Sequence, residues 1–90
     1  MQKPMLFKVY VIYSPVHDKL FTGLTTSLTE RMGSHNGNNP EDWTSGYKPW
    51  ILVHMEIYED EYDAVLRESY LESAEGQTHV RSDILPLFQF

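Results

Sequence analysis

Three residues of this 90-residue chain have the types and spacing to act on a phosphate. Arg31 and His35 stand four positions apart, which on a helix puts both side chains on one face. A guanidinium holds phosphate oxygens in pairs, and an imidazole donates hydrogen bonds or carries protons near neutral pH. The same spacing also describes an exposed, solvated pair on a helix surface. Glu68 narrows the choice, because it falls within an apolar stripe between Ala64 and Leu71. Burying a lone carboxylate is costly, so Glu68 is expected to face a cation, either a side chain such as Arg31 or a bound metal ion. Both partners relieve the same desolvation, and the stripe alone does not choose between them.

These residues need elements to hold them. Residues 6–13 are rich in β-branched and aromatic types and read as a largely buried strand, broken by Ser14-Pro15-Val16-His17-Asp18. Residues 19–24 offer a second strand, and the short connection favours an antiparallel hairpin. Gly23 is placed where backbone must approach something closely. Ser27-Leu28-Thr29-Glu30 matches a capping box, so a helix is expected over 28–36, ended by Asn36-Gly37-Asn38-Asn39-Pro40. A polar loop over 37–49 follows, and then a third strand over 50–58. Asp60 is a candidate N-cap for a second helix running to about Ala74 and stopped by Gly76. In the tail, Ile84-Leu85 and Leu87-Phe88 are expected to dock on the core, and Pro86 limits any helix there.

Ninety residues suffice for one domain with one core, so residues 1–90 are read as a single domain. Hydrophobic residues make up 41% and aromatic residues 13%, a composition that folds rather than stays disordered. The absence of cysteine excludes disulfides, thiolate zinc sites and cysteine nucleophiles, and gives no support for secretion. No apolar run is long enough to span a bilayer, and the opening Met1-Gln2-Lys3-Pro4 lacks a signal peptide's pattern. The expectation is a soluble protein, no membrane association and a cytoplasmic location. A formal net charge of -6 opposes attraction to nucleic acid unless a divalent cation reverses the field locally.

The two strands carry Lys8-Val9-Tyr10 and Phe21-Thr22-Gly23, with aromatic positions eleven residues apart. Arg31 follows Phe21 by ten residues, His35-Asn36 comes next, then Gly46-Tyr47-Lys48-Pro49, and Arg67-Glu68 lies on the next long helix. This ordered set resembles the GIY-YIG nuclease family over about residues 6–72, and is similar to its small stand-alone members. The resemblance implies an α+β fold, with a three-stranded antiparallel sheet flanked by helices. It implies a metal-dependent DNA endonuclease, acting in DNA repair or recombination, in which Glu68 holds one divalent ion, Mg²⁺ or Mn²⁺. Arg31 would offset charge on the scissile phosphate, while Tyr10, with His35, would orient or deprotonate the attacking water. Lys48 would contact backbone phosphates. Phe21, Thr22 and Gly23 occupy the second motif.

The chain departs from that pattern in places that matter. Phe21 stands where a tyrosine is usual, which removes a hydroxyl; if that group serves as general base, its loss costs about 10²- to 10⁴-fold in rate. Lys8 replaces the first glycine, and Glu72-Ser73-Ala74-Glu75 stands where relatives carry basic residues, so nonspecific grip on a polyanion is weak. These departures favour a second reading, a catalytically degenerate module that binds nucleic acid or a protein partner. A third reading is a structural protein in which Glu68 and Arg31 form an internal ion pair. His17, His54 and His79 lack the spacing of a shared metal site. Tyr13, Trp43, Tyr47 and Trp50 are suited either to stacking on bases or to packing at the core and its rim.

Overall fold

A computed structural model of the chain describes residues 5–90. Alternation of apolar side chains shapes its centre. The strand β1 (Phe7–Ser14) pairs antiparallel with β2 (Lys19–Thr25) on one side and with β3 (Ile51–Tyr58) on the other, giving the order β2-β1-β3. As the middle strand, β1 is buried on both faces, which is why its sequence reads as a nearly continuous apolar run. Val9 and Val11 point to one face and Tyr10 and Ile12 to the other. A register irregularity between Val11 and Ile12 interrupts the pairing with β3.

Helix α2 (Glu61–Glu72) covers the valine face, where Val9, Val11 and Val53 pack with Ala64, Leu71, Val80 and Ile84. Full burial of a side chain of this size contributes about 1.5–3 kcal/mol, so this layer anchors the fold. Asp60 caps α2 by accepting a hydrogen bond from the Tyr62 backbone N–H at 2.7 Å. Helix α1 (Leu28–His35) lies on the tyrosine face, where Leu28 and Met32 pack with Tyr10, Ile12 and Trp50. This is the expected α+β architecture, a three-stranded antiparallel sheet with helices.

Four local expectations are corrected. No capping box forms at Ser27, because its side chain makes no cap hydrogen bond; its backbone N–H donates instead to Thr25 Oγ1 at 3.0 Å. The loop after α1 holds a 3₁₀ turn, Trp43–Tyr47, capped by Asp42. Gly76 does not stop α2. Ser73 ends that helix and caps a further helix α3 (Ala74–His79), and Gly76 lies inside α3 where a β-carbon would sit 2.1 Å from the Tyr70 carbonyl oxygen. The glycine is therefore a close-packing residue between the two helices. In the tail, Ile84 is buried and Leu85 half-buried, as expected, but Leu87 and Phe88 are exposed. Phe88 stacks on Phe90 instead, and Phe90 lies against Tyr13.

Candidate active site

Tyr10 is almost fully buried at the middle of β1, and its partner across the hairpin is Gly23. A β-carbon on Gly23 would stand 2.4 Å from the Tyr10 hydroxyl oxygen, so the ring lies flat across the glycine. The close approach expected at Gly23 is thus the passage of the phenol over β2. Phe21 sits beside it, with ring centroids 6.3 Å apart, and Thr22, between Phe21 and Gly23 along β2, is buried.

His35, at the last turn of α1, has no exposed surface and both ring nitrogens are engaged. Nε2 meets the Tyr10 hydroxyl at 2.8 Å and Nδ1 meets Thr44 Oγ1 at 2.8 Å. Thr44 donates its only hydroxyl proton to Asp42 Oδ1 at 2.6 Å. The Thr44 hydrogen bond holds the Asp42 carboxyl below its ordinary range, so Asp42 accepts only. Thr44 Oγ1 must then accept from His35, which fixes the proton on Nδ1. Burial lowers the His35 pKa, helped by the Arg31 charge and opposed by Asp42, so the ring is neutral and Nε2 is a bare acceptor. The chain therefore has one direction: Tyr10 donates to His35, His35 to Thr44, and Thr44 to Asp42.

This arrangement leaves the Tyr10 oxygen with its proton turned inward, and an Arg31 side-chain hydrogen bond reaches the same oxygen. Burial raises the Tyr10 pKa above its ordinary value; Arg31 opposes this, and the negative charges of Glu68 and Asp42 add to it. Arg31 and Glu68 thus act on the same phenol from α1 and α2. They do not pair with each other: among the described residues, neither has an oppositely charged side chain within 4.0 Å. The internal ion pair considered from the sequence is not formed. Glu68 is half-buried between buried Ala64 and Leu71, as its stripe position implied. Burial raises its pKa and the Glu72 charge raises it further, and among the described residues no cation within 4.0 Å offsets the desolvation of the carboxylate.

That state suits a divalent ion. Glu68 offers hard oxygen donors and an unmet demand for positive charge, and Mg²⁺ is commonly held by one or two carboxylates with water completing its shell. Among the described residues, no three acidic or histidine side chains gather into a larger cluster. His54 is taken up by Glu56 at 2.6 Å and His79 by Asp83 at 2.8 Å, while His17 meets the Tyr47 ring edge-on.

Beside the phenol opens a cleft of about 420 Å³, lined by Phe21, Arg31, His35, Asp42, Trp43 and Thr44 among others. Asn36 closes the loop behind it: its side chain accepts from the Trp50 backbone N–H at 2.6 Å and donates to the Trp50 carbonyl at 3.2 Å, tying the end of α1 to the start of β3. The Trp50 indole N–H donates to the Thr44 carbonyl at 2.6 Å, which fixes the turn that carries Thr44. Lys48 is tied to the loop, donating to the Gly37 carbonyl at 3.0 Å and to Asn38 Oδ1, so it reaches outward only by giving up those contacts. Sequence reasoning missed Asp42 and Thr44. The spacing Asp-x-Thr at a turn signals a side-chain cap, but nothing local connects it to a histidine nine residues earlier.

Comparison with known proteins places the chain in a family. The GIY-YIG catalytic domain model matches residues 7–80, which includes Tyr10, Arg31, His35 and Glu68. A UPF0213 protein of Natronomonas pharaonis is 34% identical over 72% of this chain and 75% of its own length. One from Staphylococcus haemolyticus is 27% identical over 71% of this chain and 78% of its own length. One from Clostridium perfringens is 35% identical over 60% of this chain and 58% of its own length. No helix among the described residues is long and apolar enough to cross a membrane. The chain belongs to the GIY-YIG catalytic domain family, a family of nucleases.

Proposed function

We propose that this chain is a divalent-metal-dependent endonuclease that hydrolyses DNA phosphodiester bonds, serving DNA repair or recombination, and that residues 1–90 act as one domain. The observation that carries the reading is an oriented proton chain that begins at one buried phenol, on which the charges of Arg31 and Glu68 both act, while among the described residues neither has an oppositely charged side chain within 4.0 Å. Arg31 is the group to hold a non-bridging phosphate oxygen, because it lines the cleft and among the described residues forms no salt bridge within 4.0 Å. Tyr10 receives the proton of the attacking water on its oxygen as its own proton passes to His35 Nε2. Asp42, through Thr44, stabilises the imidazolium that results. The water oxygen forms the new P–O bond, the scissile P–O bond breaks, and the leaving oxygen takes its proton from solvent. Glu68 would hold the divalent ion, which supplies charge neutralisation at the phosphate.

Phe21 supports a second reading, a binding module for nucleic acid or a protein partner that has lost cleavage, because a ring without a hydroxyl faces both Tyr10 and His35. One assay separates the two. Wild type, Phe21→Tyr and Glu68→Ala are incubated with branched, nicked and duplex DNA and Mg²⁺ or Mn²⁺. The nuclease reading expects cleavage by wild type, more by Phe21→Tyr, and none by Glu68→Ala. Equal cleavage by wild type and Glu68→Ala rejects the role given to Glu68, and inactivity of all three with intact binding establishes the module.

A further inference from the structure

The cleft beside the phenol has an aromatic wall that no step above uses. Trp43 is 56% exposed, whereas Trp50, the other tryptophan, is 3% exposed. The neighbours of Trp43 hold it without covering it. Phe21, Tyr47 and Trp50 meet Trp43 at centroid distances of 5.8, 5.8 and 6.4 Å and interplanar angles of 63°, 71° and 88°. None lies parallel, so among the described residues no ring occupies the stacking position on the indole face. Trp43 and Phe21 also line a second, smaller cleft on their other side, of about 170 Å³, so the pair forms a partition with open space on both sides. Phe21 joins this wall to the reaction centre, lying 4.9 Å from the His35 ring.

The charges around the wall decide what it is suited to hold. Arg31 is the cation lining the main cleft, and Glu41 and Asp42 line it as well. A duplex is gripped through many phosphates at once, which needs a spread of basic side chains; here the chain's net charge is -6 and one guanidinium faces the site. With little electrostatic grip, affinity has to come from stacking, and a base within a duplex has both faces already covered by its neighbours. We propose that the Trp43–Phe21 wall is a stacking site for an unpaired nucleobase next to the phosphate held by Arg31, which makes single-stranded nucleic acid, or a single-stranded segment of a branched molecule, the ligand of this cleft. The proposal rests on the nuclease reading only for the placing of the phosphate; stacking itself requires no cleavage.

The test therefore measures binding in EDTA, where a metal-dependent reaction cannot run and the failure of the nuclease reading leaves the result intact. A labelled mixed-sequence oligonucleotide of about a dozen nucleotides, alone and annealed to its complement, is titrated with the full chain. Fluorescence anisotropy gives the affinity and indole emission reports stacking, with buried Trp50 as the internal reference for folding. The single strand is expected to quench indole emission in wild type and not in Trp43→Phe. Trp43→Ala is expected to bind it roughly 5- to 150-fold more weakly, the loss of one base–aromatic stack, while Trp43→Phe keeps most of the affinity. Unquenched emission at saturation, equal single-strand affinity for wild type and Trp43→Ala, tighter binding of the duplex, or no binding of either would each overturn it.

Discussion

Replacing Thr44 with valine tests the proton chain at its least redundant atom. Valine has nearly the same shape, so the substitution removes one hydroxyl and little else. That hydroxyl accepts from His35 Nδ1 at 2.8 Å and donates to Asp42 Oδ1 at 2.6 Å. Asp42 keeps its bond from the Thr44 backbone N–H at 3.1 Å, so the cap of the 3₁₀ turn survives. The full loss falls on a buried imidazole N–H with no other acceptor. Leaving such a donor unsatisfied costs about 1–3 kcal/mol. For a domain of this size each kilocalorie lowers Tm by roughly 4–8 °C, so a clear thermal shift is expected. The ring has one way to limit the damage, which is to move its proton to Nε2 and donate to the Tyr10 oxygen. Tyr10 then turns its own proton toward the cleft and can no longer receive one from water, and cleavage falls by about 10²- to 10⁴-fold. Histidine ¹⁵N NMR reads the tautomer directly: Nδ1–H in wild type, Nε2–H in Thr44→Val. Thr44→Ser restores the hydroxyl and should recover both tautomer and rate. A Thr44→Val protein with wild-type stability and an unchanged Nδ1–H tautomer would refute the assigned direction of the chain.

Other consequences follow from neighbouring geometry. Gly23→Ala forces a β-carbon to within 2.4 Å of the Tyr10 oxygen, so the buried ring must move and its bond to His35 is lost. Overpacking of this kind costs about 1–3 kcal/mol, and a denaturant titration should show the loss; unchanged stability would place the phenol elsewhere. Away from the site, Glu56 is desolvated, which raises its pKa, yet hydrogen bonds from Arg67, His54 and Tyr58 outweigh this and bring it down to about 2. A carboxyl depressed in the folded state adds stability above its ordinary pKa and loses it as pH falls toward the folded value. Thermal stability should therefore decline as pH drops from about 5 toward 2, and Glu56→Gln should flatten that decline; an identical acid limb in both proteins would remove Glu56 as its source.

Much of the fold was legible because local patterns agreed with the final packing. The apolar run of β1, the alternation in β3 and the Asp60 cap are each set by residues close in sequence, so periodicity and cap chemistry locate them within a residue or two. Ser27 and Gly76 were misread for a shared reason. A capping serine competes with other donors and acceptors nearby, and a glycine that reads as a stop is equally a glycine that lets two helices touch. The order Tyr10, Arg31, His35 and Glu68 is readable along the chain, because spacing on a strand or a helix needs no tertiary contact. The partners that give them a state are not. Thr44 and Asp42 reach His35 only because Asn36 and Trp50 fold the loop back over the end of α1. The exposure of Trp43 against the burial of Trp50 likewise depends on which side of that loop faces the sheet. Sequence determined which chemical groups this protein has and the order in which they come. Tertiary structure decided which nitrogen of His35 holds the proton and that, among the described residues, Arg31 and Glu68 form no ion pair, because both depend on contacts between residues far apart along the chain.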